Sequence, residues 1–212
     1  NKQVYRIDGV VSANNYIQVP HPIKHSKGLE IVHDFIYLQM APIEGKFFVT
    51  HLNINVGEKV APFRISLGNL YKQAKILATG VQYPVAIKTW SVIVLHIPSI
   101  LKSYSKLLPK VHTLKSVTCC SSQLVRTIFS SDRLYDMNNM PREMKFSITP
   151  GDANDCYDWV EVPAGLTDNL APTMALELID HEPAQESEYV KAANSSMNLK
   201  VMDHRVPVNE NH

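Results

Sequence analysis

The chain has 212 residues, 45% of them hydrophobic and 19% charged, which suits one globular domain or a smaller domain followed by a tail. No run approaches the roughly eighteen consecutive apolar residues of a membrane-spanning helix, and Asn1-Lys2-Gln3 opens no signal peptide, so a soluble cytosolic domain is expected. The formal charge of +1 hides a division: residues 1–58 are balanced, residues 59–133 carry eleven basic groups against the single Asp132, and residues 134–212 carry five basic against fourteen acidic groups.

From residue 3 to about residue 146, short β-rich segments are punctuated by turn residues, the pattern of strands. Strands are predicted over residues 4–7, 16–19, 34–41 and 46–56. In the last, Phe48, Leu52, Ile54 and Val56 fall on one face while His51, Asn53 and Asn55 fall on the other, the period of a half-buried strand. After a strand over residues 62–67, residues 69–77 read as a short helix that packs Leu70, Tyr71 and Ala74 and turns Lys72 and Lys75 outward. Strands over residues 81–87 and 91–97 lead to a second helix over residues 98–108. There Ile100, Leu101, Tyr104, Leu107 and Leu108 recur at helical intervals, Pro98 suits the first turn and Pro109 stops it. Strands over residues 112–119 and 125–129 complete a set of about nine, and Asn138 or Asn139 is placed to cap a single turn over residues 141–144. Such spacing, with no βα alternation to suggest a parallel sheet, predicts an all-β two-sheet sandwich over residues 1–163 with one to three short helices. Beyond it, residues 164–212 read as an extended acidic tail or linker, in which a short apolar set, Met174, Leu176, Leu178 and Ile179, could serve as an anchor. Because residue 1 is not Met and residues 4–7 already read as a strand, the chain is expected to be a segment of a longer protein.

Cys119, Cys120 and Cys156 are too few and wrongly spaced for a disulfide framework, so free buried thiols are expected. No Cys-x-x-Cys, His-Glu-x-x-His or Cys/His pair at zinc spacing occurs, and neither a metal nor another cofactor is expected. Asp152-Ala153-Asn154-Asp155 has the oxygen-rich look of a calcium loop, but Cys156 and Tyr157 stand where further ligands and the bend-forming glycine belong, so a turn after Pro150-Gly151 is expected. A nucleophile elbow, a glycine-rich phosphate loop and paired carboxylates in an apolar setting are all missing, which predicts a protein that is not an enzyme. His51, on the polar face of its strand, is read as solvated, and its meeting Ser130 would be one of many such pairings.

Several stretches carry a family resemblance. Val4-Tyr5-Arg6-Ile7-Asp8-Gly9, residues 11–20, Phe47-Phe48-Val49-Thr50-His51-Leu52, residues 65–72, Phe129-Ser130-Ser131-Asp132-Arg133-Leu134-Tyr135 and Met140-Pro141-Arg142-Glu143-Met144 occur in the order in which similar segments occur in the family of cilia- and flagella-associated protein 20. The chain resembles that family over about residues 3–150, and most closely its larger members, in which the domain precedes β-propellers. The resemblance implies a jelly-roll-like sandwich without catalytic residues, placed on ciliary or centriolar microtubules, at the inner junction or on the centriole inner wall. Its implied partners are the tubulin lattice and neighbouring inner-junction or inner-wall proteins, with no nucleic acid and no membrane.

Under that reading the basic middle third faces acidic tubulin, and Lys72, Lys75, Lys88, Lys102, Lys106 and Lys110 are the candidate contact residues. The competing account neutralises them with the domain's own C-terminal acids. The tail acids Asp168, Glu177, Asp180, Glu182, Glu186 and Glu188 would be repelled by tubulin, so the tail is expected to extend to a neighbour unless it folds back on those lysines. Asp132-Arg133 reads as a turn fixed by local hydrogen bonds rather than a recognition element. A carbohydrate-binding sandwich is the alternative function, with Trp90 and Trp159 as stacking platforms, although Trp90 opens a half-buried strand and reads better as core. The lysines lack the interleaved aromatics of a nucleic-acid surface.

Overall fold

Alternation of apolar and polar residues builds most of this molecule. In the segment Phe63–Gly68, for example, Phe63, Ile65 and Leu67 point into the core while Arg64 stays half-buried on the opposite face. The computed structural model describes residues 3–9, 11, 14–25, 27–57, 61–104, 112–145 and 158–164. Among them run β1 (Tyr5–Ile7), β2 (Tyr16–Val19), β3 (Phe35–Pro42), β4 (Phe48–Asn55), β5 (Phe63–Gly68), β6 (Lys75–Leu77), β7 (Gly80–Pro84), β8 (Ser91–His96), α1 (Ile97–Tyr104), β9 (Thr113–Ser121), β10 (Gln123–Ser131) and β11 (Asp158–Glu161).

The strands form two sheets packed face to face. The first has the order β1-β10-β3-β8-β11 and the second β2-β9-β4-β5-β7-β6, so the chain repeatedly crosses between layers, as in a jelly roll. Most pairs are antiparallel, but β5 with β7 and β8 with β11 are parallel, which makes both sheets mixed. Neither parallel pair needs a βα crossover. The β6–β7 hairpin brings β7 round beside β5, and β11 joins the edge of the first sheet after a long excursion.

Between the sheets Ile36, Leu38, Phe48, Leu52, Ile65, Leu67, Ile93 and Leu95 are fully buried, each such side chain contributing about 1.5–3 kcal/mol. Ile97, Ile100 and Leu101 of α1 join this core and leave Lys102 and Ser103 exposed, in keeping with the predicted helical spacing; residues 105–110 lie outside the described part. Cys119 and Cys120 are buried free thiols, pushed up to about 11 and about 12 by burial.

Two sequence expectations fail on tertiary grounds. Residues 69–77 are not a helix but a turn leading into β6. Asn69 ties the turn to the start of β4, its Oδ1 accepting from the Phe48 N–H at 2.9 Å and its Nδ2 donating to the Lys46 carbonyl at 2.9 Å, and Lys75–Leu77 then pairs with β7. The single turn over residues 141–144 forms, the Met144 N–H donating to the Pro141 carbonyl at 2.9 Å, but Asn138 and Asn139 belong to the turn before it: Asp136 Oδ1 accepts from the N–H groups of Asn138 (2.7 Å) and Asn139 (3.0 Å), and Asn139 Oδ1 accepts from the Asp136 N–H at 2.6 Å.

Candidate functional site

The predicted lysines divide into described and undescribed. Lys72, Lys75, Lys88 and Lys102 are exposed; Lys106 and Lys110 lie outside the described residues. Lys72 stands in the turn before β6, and Lys75 opens β6, the edge strand of the second sheet. Lys102 is on α1, whose Tyr104 packs edge-on against Tyr83 of β7, with ring centroids 6.1 Å apart. Since β6 pairs with β7, the fold gathers the elements bearing Lys72, Lys75 and Lys102 around one edge of the sandwich. Lys88 stands apart, between β7 and β8. Among the described residues no ion pair reaches any of these four lysines. The described acids of the C-terminal third do not neutralise them.

Two of the stretches that carried the family resemblance, residues 129–135 and 140–144, come together on the first sheet. Residues 132–145 fold over the outer face of the first sheet and build a second apolar cluster on Tyr37, Val92, Val94 and Met140, packed by Phe129, Tyr135, Met144, Trp90 and Trp159. Tyr37 holds the strap at two points: its hydroxyl donates to the Arg133 carbonyl at 3.1 Å and accepts from the Tyr135 N–H at 2.7 Å. Gln39 donates to the Met144 carbonyl at 2.6 Å, and Arg126 bonds both Gln39 Oε1 and the carbonyls of Met144 and Lys145. Asp132-Arg133 belongs to this strap, its turn fixed by the Arg133 N–H on Ser131 Oγ at 2.9 Å. Trp90 and Trp159 are both partly buried against the cluster, the Trp159 ring centroid lying 6.3 Å from that of Tyr37.

Two hollows went unseen in the sequence. An apolar cavity of about 480 Å³ opens between the sheets where β1 and β2 form neighbouring edges, lined by Ile7, Ile17, Val19, Ile31, Val117 and Ile128 among others. Exposed Tyr5, Tyr16, Ile17 and Val19 stand on its rim strands. A more polar hollow of about 590 Å³ lies along the second sheet, with His25, Arg64 and Lys115 in its lining. A sequence signal for the first existed in the apolar edge residues; the second depends on residues from distant loops and had none.

The sequence profile of the CFA20 domain matches residues 1–148. The chain belongs to the CFA20 domain family. WD repeat-containing protein 90 of Mus musculus is 33% identical over 192 residues, which cover 76% of this chain and 10% of the relative. The Homo sapiens protein of that name is 31% identical over 191 residues, covering 76% and 11%. Centriole proteome protein 16 of Chlamydomonas reinhardtii is 31% identical over 177 residues, covering 82% and 8%. The chain spans about a tenth of the length of these relatives. In this CFA20 domain the sandwich extends past the matched region, because β11 completes the first sheet and Val162 reaches the main core.

The expectation of a solvated His51 is overturned in the CFA20 domain. Only 1% of His51 is exposed, and its Nδ1 meets Ser66 Oγ at 2.8 Å while Nε2 lacks a hydrogen-bond partner. Ser130 pairs instead with His33 Nδ1 at 2.8 Å. Across the second sheet Gln82, Ser66, His51, Thr118 and Gln18 occupy one row of the outer face. Tyr71, from the turn mistaken for a helix, lies near Ser66, Arg64 and Cys120, and burial raises its phenol to about 12. Burial first, and the Arg64 charge second, lower His51 to about 4. Among the described residues no three His, Cys, Asp or Glu side chains are grouped to hold a metal.

Proposed function

We propose that this CFA20 domain is a non-catalytic structural element of ciliary or centriolar microtubules that binds the tubulin lattice through its lysine-bearing β6 edge. The observation that carries the reading is the set of exposed lysines Lys72, Lys75 and Lys102 at that edge, which, like Lys88 between β7 and β8, have no ion-pair partner among the described residues. Uncompensated positive charge on one edge favours an acidic partner, and a tubulin surface supplies one. A relative named as a centriole proteome protein supports the location. On this reading the domain stabilises doublets or triplets at the inner junction or the inner wall, beside other proteins of that lattice. The carbohydrate-binding alternative is less favoured, since Trp90 and Trp159 are partly buried against the second cluster.

Co-sedimentation with assembled microtubules tests the proposal. Binding is expected to weaken steadily as salt rises, and the charge reversals K72E, K75E and K102E together to weaken it at least about tenfold, the equivalent of ~1.4 kcal/mol. Binding indifferent both to salt and to these reversals would overturn the electrostatic reading.

A further inference from the structure

We propose that the polar hollow on the outer face of the second sheet is a docking site for an extended acidic peptide of a protein partner, with carboxylates two residues apart. The floor of the hollow crosses three neighbouring strands, with Arg64 on β5, Asn53 on β4 and Ser116 on β9. A chain of hydrogen bonds fixes it: Arg64 Nε donates to Asn53 Oδ1 at 3.0 Å, and Asn53 Nδ2 donates to Ser116 Oγ at 2.9 Å. Ser116 Oγ accepts in that chain and keeps its own proton as a donor. The backbone then turns a further cation into the hollow. The β4–β9 register steps from Asn53 opposite Ser116 to Ile54 opposite Leu114, so Lys115 is the extra residue of a β-bulge. Strict alternation from the core residues Val117 and Cys119 would send Lys115 into the core; the bulge gives that place to Leu114 and leaves Lys115 beside Ser116 in the lining of the hollow. The loop after β2 holds the bulge, the Leu29 N–H donating to the Lys115 carbonyl at 2.9 Å. Gly28, at a φ of +95°, lies so close that a Cβ on it would stand 2.6 Å from that carbonyl oxygen.

Charge and size select the occupant. Arg64, Lys115 and His25 line the hollow with no Asp or Glu among the described lining residues, and Lys24 and Lys27 stand exposed on the same loop as His25. No ion pair among the described residues reaches Lys115 or His25. Burial disfavours the charged form of Arg64, and a carboxylate beside it offsets that cost. The volume of about 590 Å³ is some twenty times the ~30 Å³ share of a water molecule, room for a few residues of chain rather than for one small anion. Same-side residues of an extended peptide are about 7 Å apart, and the Arg64 and Ser116 backbones stand two strand spacings or about 10 Å apart. The long side chains of Arg64 and Lys115 close that difference, one for each carboxylate. Pro20, Pro22 and Pro62 add rigid wall for the peptide backbone to lie against. The hollow is separated from the β6 edge by β7, and the inference does not depend on the tubulin reading.

Fluorescence anisotropy on the full chain tests it, with a labelled peptide of alternating Glu and Gly as the probe and the same peptide with Gln for Glu as the control. The probe is expected to bind, more weakly as salt rises, and the control to bind at least about tenfold more weakly than the probe. Lys115→Gln should weaken the probe at least about fivefold, whereas Lys115→Arg, which keeps the charge, and Lys46→Gln, which removes a charge outside the hollow, should each stay within about twofold of the native chain. Equal binding of the two peptides, no binding of the probe by the full chain, or indifference to Lys115→Gln would each overturn the proposal. So would displacement of the probe by an equal concentration of inorganic phosphate, which would assign the hollow to a small anion.

Discussion

His51 shows how far one residue can depart from its local pattern. It lies on the polar side of β4, yet the second sheet's outer face is covered around it, and its imidazole is held neutral at about 4 by burial and by Arg64. Its folded value lies below the ordinary 6.5, so the unfolded chain takes up the proton first as pH falls. Stability should therefore be unaffected by this group above pH 6.5, decline through the interval down to about 4, and level off below it. The full decline is at most about 3 kcal/mol. Urea denaturation at a series of pH values checks this: His51→Gln should flatten that part of the profile, and an unchanged slope would mean that other groups carry it. Tyr37 makes a complementary point, since a residue in the middle of an apolar-looking strand serves through its hydroxyl to hold the strap at Arg133 and Tyr135.

Elements were legible where their signal was local. Residues 16–19 became β2 with the predicted bounds, and the apolar spacing around Ile100 and Leu101 became α1. The strands that were missed, β6 and β11, are three and four residues long and too short to display a period. Both exist because a partner strand was available. Gly80 is critical to the β6–β7 hairpin, because a Cβ there would collide with the Arg64 backbone at the carbonyl oxygen in the parallel β5–β7 pair. Gly80→Ala should cost about 1–3 kcal/mol by forcing the strands apart. A fall in the urea midpoint, with exchange accelerated first in β6 and β7, is the expected readout, and a midpoint equal to that of the native protein would show that the ladder absorbs the extra methyl group.

Across the whole molecule the separation of charge along the sequence survives folding at the β6 edge, where the exposed lysines stay clear of the described acids. Under the proposed lattice binding through several weak contacts, the domain should bind assembled microtubules far better than free tubulin dimers, because simultaneous contacts raise the effective affinity. Sedimentation with polymer and with dimer in parallel compares the two; equal affinities would point to a single tight site. The sequence by itself determined the all-β class, the helical spacing of α1, the free buried thiols of Cys119 and Cys120, Cys156 lying outside the described residues, and the one-sided charge, all properties of neighbouring residues or of composition. Tertiary structure alone decided which strands share a sheet, that two pairs run parallel, that Tyr71 turns over a polar face and that a cavity opens between β1 and β2. Alternation states that a strand has two faces. What covers each face depends on segments far away in the chain, and the free energy of that covering is absent from any local window.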